Sequence, residues 1–200
     1  MENEFDENAL FKLLKGLIYW KQLAFLLAAC QRLIPSFQAF SKENGVAGEE
    51  TLQEILAQAW AALENRETNI DFSYNAELAE SVAPSSEKYD SIFVSSAMDA
   101  AIAVSLLMRA FERNQTETIV EAVTLARDSV DMYVQELESI SPTDPELEEK
   151  ILSHELMQNE LCRQRKDLSF LYALSDDILE AMPEVHERWS NNTDSCLGLR

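Results

Sequence analysis

The chain is short of the residues that turn or break a backbone, with 4 glycines and 5 prolines in 200 residues. So few breakers argue against many strands joined by tight turns and favour long helices. Cysteine is scarce as well. Cys30, Cys162 and Cys196 are odd in number and unrelated in spacing, which fits neither a disulfide framework nor a zinc ligand set and suits reduced thiols in a cytoplasm. Positive charge is the third shortage: 16 basic against 36 acidic residues give a net charge of -20. That balance opposes the counterion release on which phosphate-backbone binding depends, so direct nucleic-acid binding is not expected. It also disfavours anionic membrane surfaces and favours cationic partners, although acidic helix faces that keep a protein soluble account for much of it. No membrane span is expected either, since a spanning helix needs about 20 apolar residues and the run from Ser91 to Met108 carries four serines and an aspartate. Leu27-Ala28-Ala29-Cys30 has the form of a lipoprotein cleavage box, but Glu2, Glu4, Asp6 and Glu7 stand where a signal peptide carries positive charge. The expectation is a cytoplasmic protein without a membrane partner.

What is present is helical periodicity. From about Phe5 to Phe40 the apolar residues Trp20, Leu23, Leu27, Cys30 and Ile34 recur at three- and four-residue steps, with Pro35 expected to kink the helix or open a new short one and Asn44-Gly45 to supply the stop. A second helix is expected over about 49–65. Asp71 is placed to cap a short helix through about Ser81. Ser91 to Met108 is apolar or small nearly all round, as in a helix buried on most sides, and it predicts a central helix over about 91–113. Asn114 with Glu117 resembles a capping box opening the next helix. On that helix Ile119, Val123, Ala126, Val130, Tyr133, Leu137 and Ile140 keep four-three spacing, a seam suited to packing on a neighbour. Asp144-Pro145 then predicts one long C-terminal helix to about Met182, ended by Pro183 and roughly 55 Å long if unbroken. Its basic cluster, Arg163, Arg165 and Lys166, reads as a partner for acidic faces rather than a phosphate site. The whole is expected to be all-α, a single helical domain over 1–190 with a flexible tail over 191–200.

Searched for chemistry, the chain offers little. Neither His154 nor His186 has a glutamate three residues before it, as a di-iron bundle requires; those positions hold Ile151 and Pro183. There is no glycine-flanked serine elbow, no paired cysteine motif, and no phosphate-cradling loop at Gly45 or Gly48. No catalytic residue, metal ligand or cofactor is assigned. One residue stands out: Asp99 is the single charge between Ser91 and Met108. A buried carboxylate without a partner costs about 3 to 5 kcal/mol, so Asp99 is expected to be neutral, hydrogen-bonded to a serine, tyrosine or indole, or ion-paired with an arginine such as Arg32. Alternatively, it lines a ligand pocket, because desolvation is how a carboxylate acquires the raised pKa of a general base.

Trp20-Lys21-Gln22-Leu23-Ala24-Phe25, Cys30-Gln31-Arg32, Pro35-Ser36-Phe37, Asp71-Phe72, Ala83-Pro84-Ser85, Tyr89-Asp90 and Ala97-Met98-Asp99-Ala100-Ala101 follow one another in an order that resembles the YjaG-like family of bacterial proteins. The likeness covers about Tyr19 to Ile140. It implies an all-helical, cytoplasmic protein of a family without an assigned biochemical activity, and it transfers no catalytic residue. Where the family is expected to place an acid before its arginine this chain has Gln31, so the resemblance does not extend to a charge-pair role for Arg32.

Two functions follow from these readings. The first is a non-enzymatic helical module acting through contacts with another protein or a second copy, the seam from Ile119 to Ile140 favouring a homodimer. The second is a small-molecule binding protein or enzyme with an inter-helical pocket, for which Asp99, Trp20, Arg32 and Tyr89 are the candidate ligand-binding residues.

Overall fold

A computed structural model describes residues 6–64, 69–189 and 195–199, and among these the chain is all-α, with nine helices and no strand. The acidic opening at Glu2 and Glu4 and the residues 190–194 lie outside the described residues.

The first expected helix is two. Helix α1, Glu7–Lys15, is capped by Asp6, whose carboxylate accepts from the Ala9 amide at 2.6 Å. Gly16 to Ile18 then turn the chain into α2, Tyr19–Asn44, which contains Pro35 without ending there and stops where Gly45 takes the left-handed conformation (φ 65°). Pro35 removes only one backbone bond, that to Gln31, and the packed surroundings of α2 carry the helix across the gap. Helix α3, Glu49–Leu63, follows Gly48, whose φ of 134° and close approach to Val82 and Phe37 leave no room for a Cβ. Asp71 caps α4, Phe72–Ser81, by accepting from the Tyr74 amide at 2.9 Å.

Helix α5, Val94–Arg113, is the buried hub the composition predicts. It packs on α2, α3, α4 and α6. It shares the centre with α2, which is buried over most of its length and touches α3, α5, α6, α8 and α9. Both helices are long and apolar enough to cross a membrane by composition, but their apolar faces are largely buried against other helices.

Asn114 does not open a capping box. It ends α5 in the left-handed conformation (φ 55°), and α6, Thr116–Leu137, starts after Gln115 without a side-chain cap. The seam of α6 faces inward: Ile119, Val123, Ala126 and Val130 are fully buried against the core, while Leu137 at its end is 48% exposed.

The long C-terminal helix is divided in three: α7 is Leu147–Ser153, α8 Glu155–Ala173 and α9 Ile178–Trp189. His154 breaks the first junction with an extended ψ of 140°, and its Nδ1 accepts from the Leu156 amide to cap α8. Leu174 breaks the second with ψ 155°. Pro183, expected as a stop, lies inside α9. Residues 195–199, expected in a flexible tail, are instead packed. Ser195, Cys196 and Leu197 are buried, the Cys196 amide donates to the Arg32 carbonyl at 3.0 Å, and Arg163 donates to the Ser195 carbonyl at 2.7 Å.

Candidate functional site

The four candidate residues sit in four different settings. Trp20, at the start of α2, donates its indole N–H to the Asp176 carbonyl at 2.9 Å and lines an apolar groove with Leu23, Leu63, Phe111, Leu179 and Met182. Beside it the stem of Lys21 is buried, and its ammonium reaches the Leu174 carbonyl at 2.8 Å and Asp176 at 2.6 Å. A cation is thus held against the C-terminal carbonyls of α8, where the helix dipole favours it. Tyr89 packs edge-on against Phe40, with ring centroids 5.1 Å apart.

Arg32 is 2% exposed and forms the centre of a charge network that spans α2, α8 and α9. Its Nε and Nη2 bind both oxygens of the fully buried Glu160, at 3.1 and 3.0 Å, and its Nη1 binds Asp167 at 2.9 Å. Burial would lower the Arg32 pKa, but the two carboxylates outweigh it and hold the guanidinium firmly protonated. Gln164 donates to Glu160 at 3.0 Å. Asp167 also accepts from Arg188, at 2.8 and 3.1 Å, and from the Trp189 indole at 3.3 Å. Arg188 lies over the Phe170 ring, 4.6 Å from its centroid. Two guanidinium groups thus face two carboxylates, and the network is neutral as a whole. Against it lies Cys196, whose thiol is pushed up to about 12 by burial and by the nearby Glu160.

The sequence reading missed the acids of this network. Glu160, Gln164 and Asp167 are spaced four and three apart among Met157, Leu161, Leu168 and Leu171, so they occupy the inward face of α8. Polar residues at positions where the period demands apolar ones were the signal. The acid expected next to Arg32 in the chain arrives instead from α8, 128 and 135 residues away.

Asp99 lies on α5, 8% exposed, and accepts one described hydrogen bond, from the Ser129 hydroxyl on α6 at 2.8 Å. Burial pushes its pKa up to about 6, the serine bond pulling it down and Asp128 adding repulsion. It lines none of the described cavities. A cleft of about 270 Å³ between α6, α7 and α8 is walled by Arg127, Asp128, Asp131, Ile151 and Met157 and does not include Asp99.

The histidines are also engaged. His154 caps α8, and His186 Nδ1 lies 2.8 Å from Glu64 with its ring edge-on to Trp60. Among the described residues no three His, Cys, Asp or Glu side chains are gathered to hold a metal ion.

Residues 9–200 match the model of a family described as a protein of unknown function, DUF416. This chain belongs to the DUF416 family. An uncharacterized protein of Haemophilus influenzae is 30% identical over 183 residues, covering 86% of this chain and 92% of that protein. The uncharacterized protein YjaG of Escherichia coli is 27% identical over 124 residues, 62% of each chain. The crystal structure of a DUF416 family protein from Shewanella baltica superposes with a TM-score of 0.83 at 23% identity, over 94% of this chain and 97% of that one, a likeness of fold. The resemblance read from the order of short motifs and the membership found over nearly the whole chain agree.

Proposed function

We propose that this DUF416 protein is a non-enzymatic helical module that acts by docking to another protein, and that it works in the cytoplasm. One observation carries the reading. All five charged side chains buried among the described residues, Lys21, Arg32, Asp99, Glu160 and Asp167, have partners within the chain itself. Interior charge that is spent on internal bonding fixes a shape rather than a reaction centre, whereas active sites hold groups poised toward an open cleft. The three cysteines stand as thiols, which suits a reducing compartment.

A second copy as partner loses its main motive, because the seam of α6 is used inside the chain. The pocket reading rests on Asp99 and its raised pKa, and that carboxylate opens onto none of the described cavities. Affinity capture from the native host, with wild type and Asp99→Asn as paired baits and native mass spectrometry of the eluates, separates the two. Docking expects the same proteins on both baits. A small molecule that copurifies with wild type and is lost from Asp99→Asn would overturn it in favour of the pocket.

A further inference from the structure

We infer that residues 195–199 form a strap that opens on its own while the helices stay folded, and that its opening turns Cys196 from an inert thiol into a reactive one. The inference goes beyond the docking reading and does not depend on it. The strap lies over the Arg32 network, tied to α2 and α8 by one described hydrogen bond each: the Cys196 amide donates to the Arg32 carbonyl at 3.0 Å, and Arg163 donates to the Ser195 carbonyl at 2.7 Å. Its other described bonds are its own. The Leu197 amide donates to the Ser195 hydroxyl at 3.0 Å and the Gly198 amide to the Ser195 carbonyl at 3.2 Å. A turn that closes on itself leaves its seat without breaking a helix.

The seat matches the strap imperfectly. Ser36 is fully buried, and its hydroxyl finds only the Cys196 thiol, a weak partner. Gln164, beside Glu160 and equally buried, donates its amide N–H to that carboxylate and leaves its carbonyl oxygen without a hydrogen bond. Such atoms forgo bonds that water supplies once the strap is open, which weakens the closure that the buried Leu197 provides. Opening also spares the charges beneath. Arg32 keeps Glu160 and Asp167, and Asp167 keeps Arg188 and the Trp189 indole, because none of those bonds passes through the strap.

The thiol reports the difference. In the closed form Cys196 is buried, and burial together with the charge of Glu160 pushes it up to about 12, so very little is thiolate at neutral pH. Opening removes both causes and returns the sulfur to the ordinary range, where a few per cent is the nucleophilic thiolate. Cys30 is the internal reference, because it is also a fully buried thiol raised by burial but sits on α2 in the centre of the molecule.

The test treats the full chain with N-ethylmaleimide at neutral pH and follows Cys30 and Cys196 separately by peptide mass spectrometry, over a range of urea below the unfolding transition. The thiolate sulfur adds across the maleimide double bond, the adjacent carbon takes a proton from water, and nothing leaves. Cys196 is expected to react at least about tenfold faster than Cys30, with a rate that barely responds to urea while that of Cys30 rises steeply. Leu197→Ala and Arg163→Met, which remove the apolar anchor and one tie, should each speed Cys196 about tenfold and leave Cys30 unchanged. Equal wild-type rates, the same urea response at both thiols, or variants that speed both alike would overturn the inference, since the strap would then open only with the whole molecule. So would a wild-type Cys196 that reacts as fast as a free thiol, which would show a strap that is not closed in solution. The wild-type rates and their urea response decide the matter even where a variant fails to fold.

Discussion

Two regions of the same interior treat a buried carboxylate in opposite ways. On the α2–α8–α9 side, Glu160 receives three hydrogen bonds, two of them from Arg32, and Asp167 is bound by two guanidinium groups and an indole. On the α5–α6 side, Asp99 has one serine hydroxyl and the repulsion of Asp128. Burial alone therefore does not set the state of an acid. The donors that the neighbouring helix brings decide it: a helix that delivers guanidinium groups keeps the charge, and one that delivers a single hydroxyl leaves the proton in competition. Lys21 is intermediate, with its ammonium bound to a carbonyl and to an aspartate that is 78% exposed.

Breaking the compensated side should have the largest effect. Arg32→Met leaves Glu160 buried without its cation and is expected to cost about 3 to 5 kcal/mol in urea unfolding. Arg32→Met combined with Glu160→Leu removes both charges and should recover a good part of that loss, because paired removal spares the orphan. If the single variant unfolds within about 1 kcal/mol of wild type, the network is solvated in solution and the contrast with Asp99 collapses.

The lone acid predicts the opposite sign. Its folded pKa of about 6 lies above the ordinary carboxylate value of 3.8, so between those pH values the folded chain holds a proton that the unfolded chain has released. Stability is therefore lost as pH rises through this window and is flat above it. Asp99→Asn abolishes the loss while keeping an oxygen for Ser129. It should raise stability by about 2 to 3 kcal/mol at pH 8 and by about half as much at pH 5. A gain independent of pH, or a net loss that grows with pH, would show that the ionised carboxylate has partners beyond Ser129.

The difference between the two regions also marks what was legible beforehand. The all-helical class, the buried hub at 94–113 and the cap at Asp71 follow from local pattern, because periodicity and capping act within a few residues. Asp99 was legible as an anomaly for the same reason, standing alone among apolar neighbours. Its partner is not legible: a serine, a tyrosine, an indole and Arg32 all fit the local pattern, and only the packing of α5 on α6 selects Ser129. The Arg32 network was hidden because its members come from three helices and only tertiary packing joins them. The breaks at His154 and Leu174 escaped because neither residue is a glycine or proline. Each takes an extended ψ, one junction supported by a side-chain cap and the other by a distant lysine. Conversely, the α6 seam is legible as a packing face, but a sequence period records that a face is covered and not by which chain; here the core of the same chain covers it.

The smallest expected effect is also the sharpest probe of the contrast. Ser129→Ala removes the one donor to Asp99 among the described hydrogen bonds. Because a hydroxyl bound to an ionised acceptor contributes more than one bound to a neutral one, the variant should lose about 1 to 2 kcal/mol at pH 8. In the Asp99→Asn background, where the acceptor is uncharged, the same substitution should cost about half as much. The single variant should also shift the titration of Asp99 upward, visible as a later end to the pH-dependent loss of stability. Equal losses in both backgrounds would mean that Ser129 contributes packing alone, and that the Asp99 carboxylate is held by solvent instead of by α6.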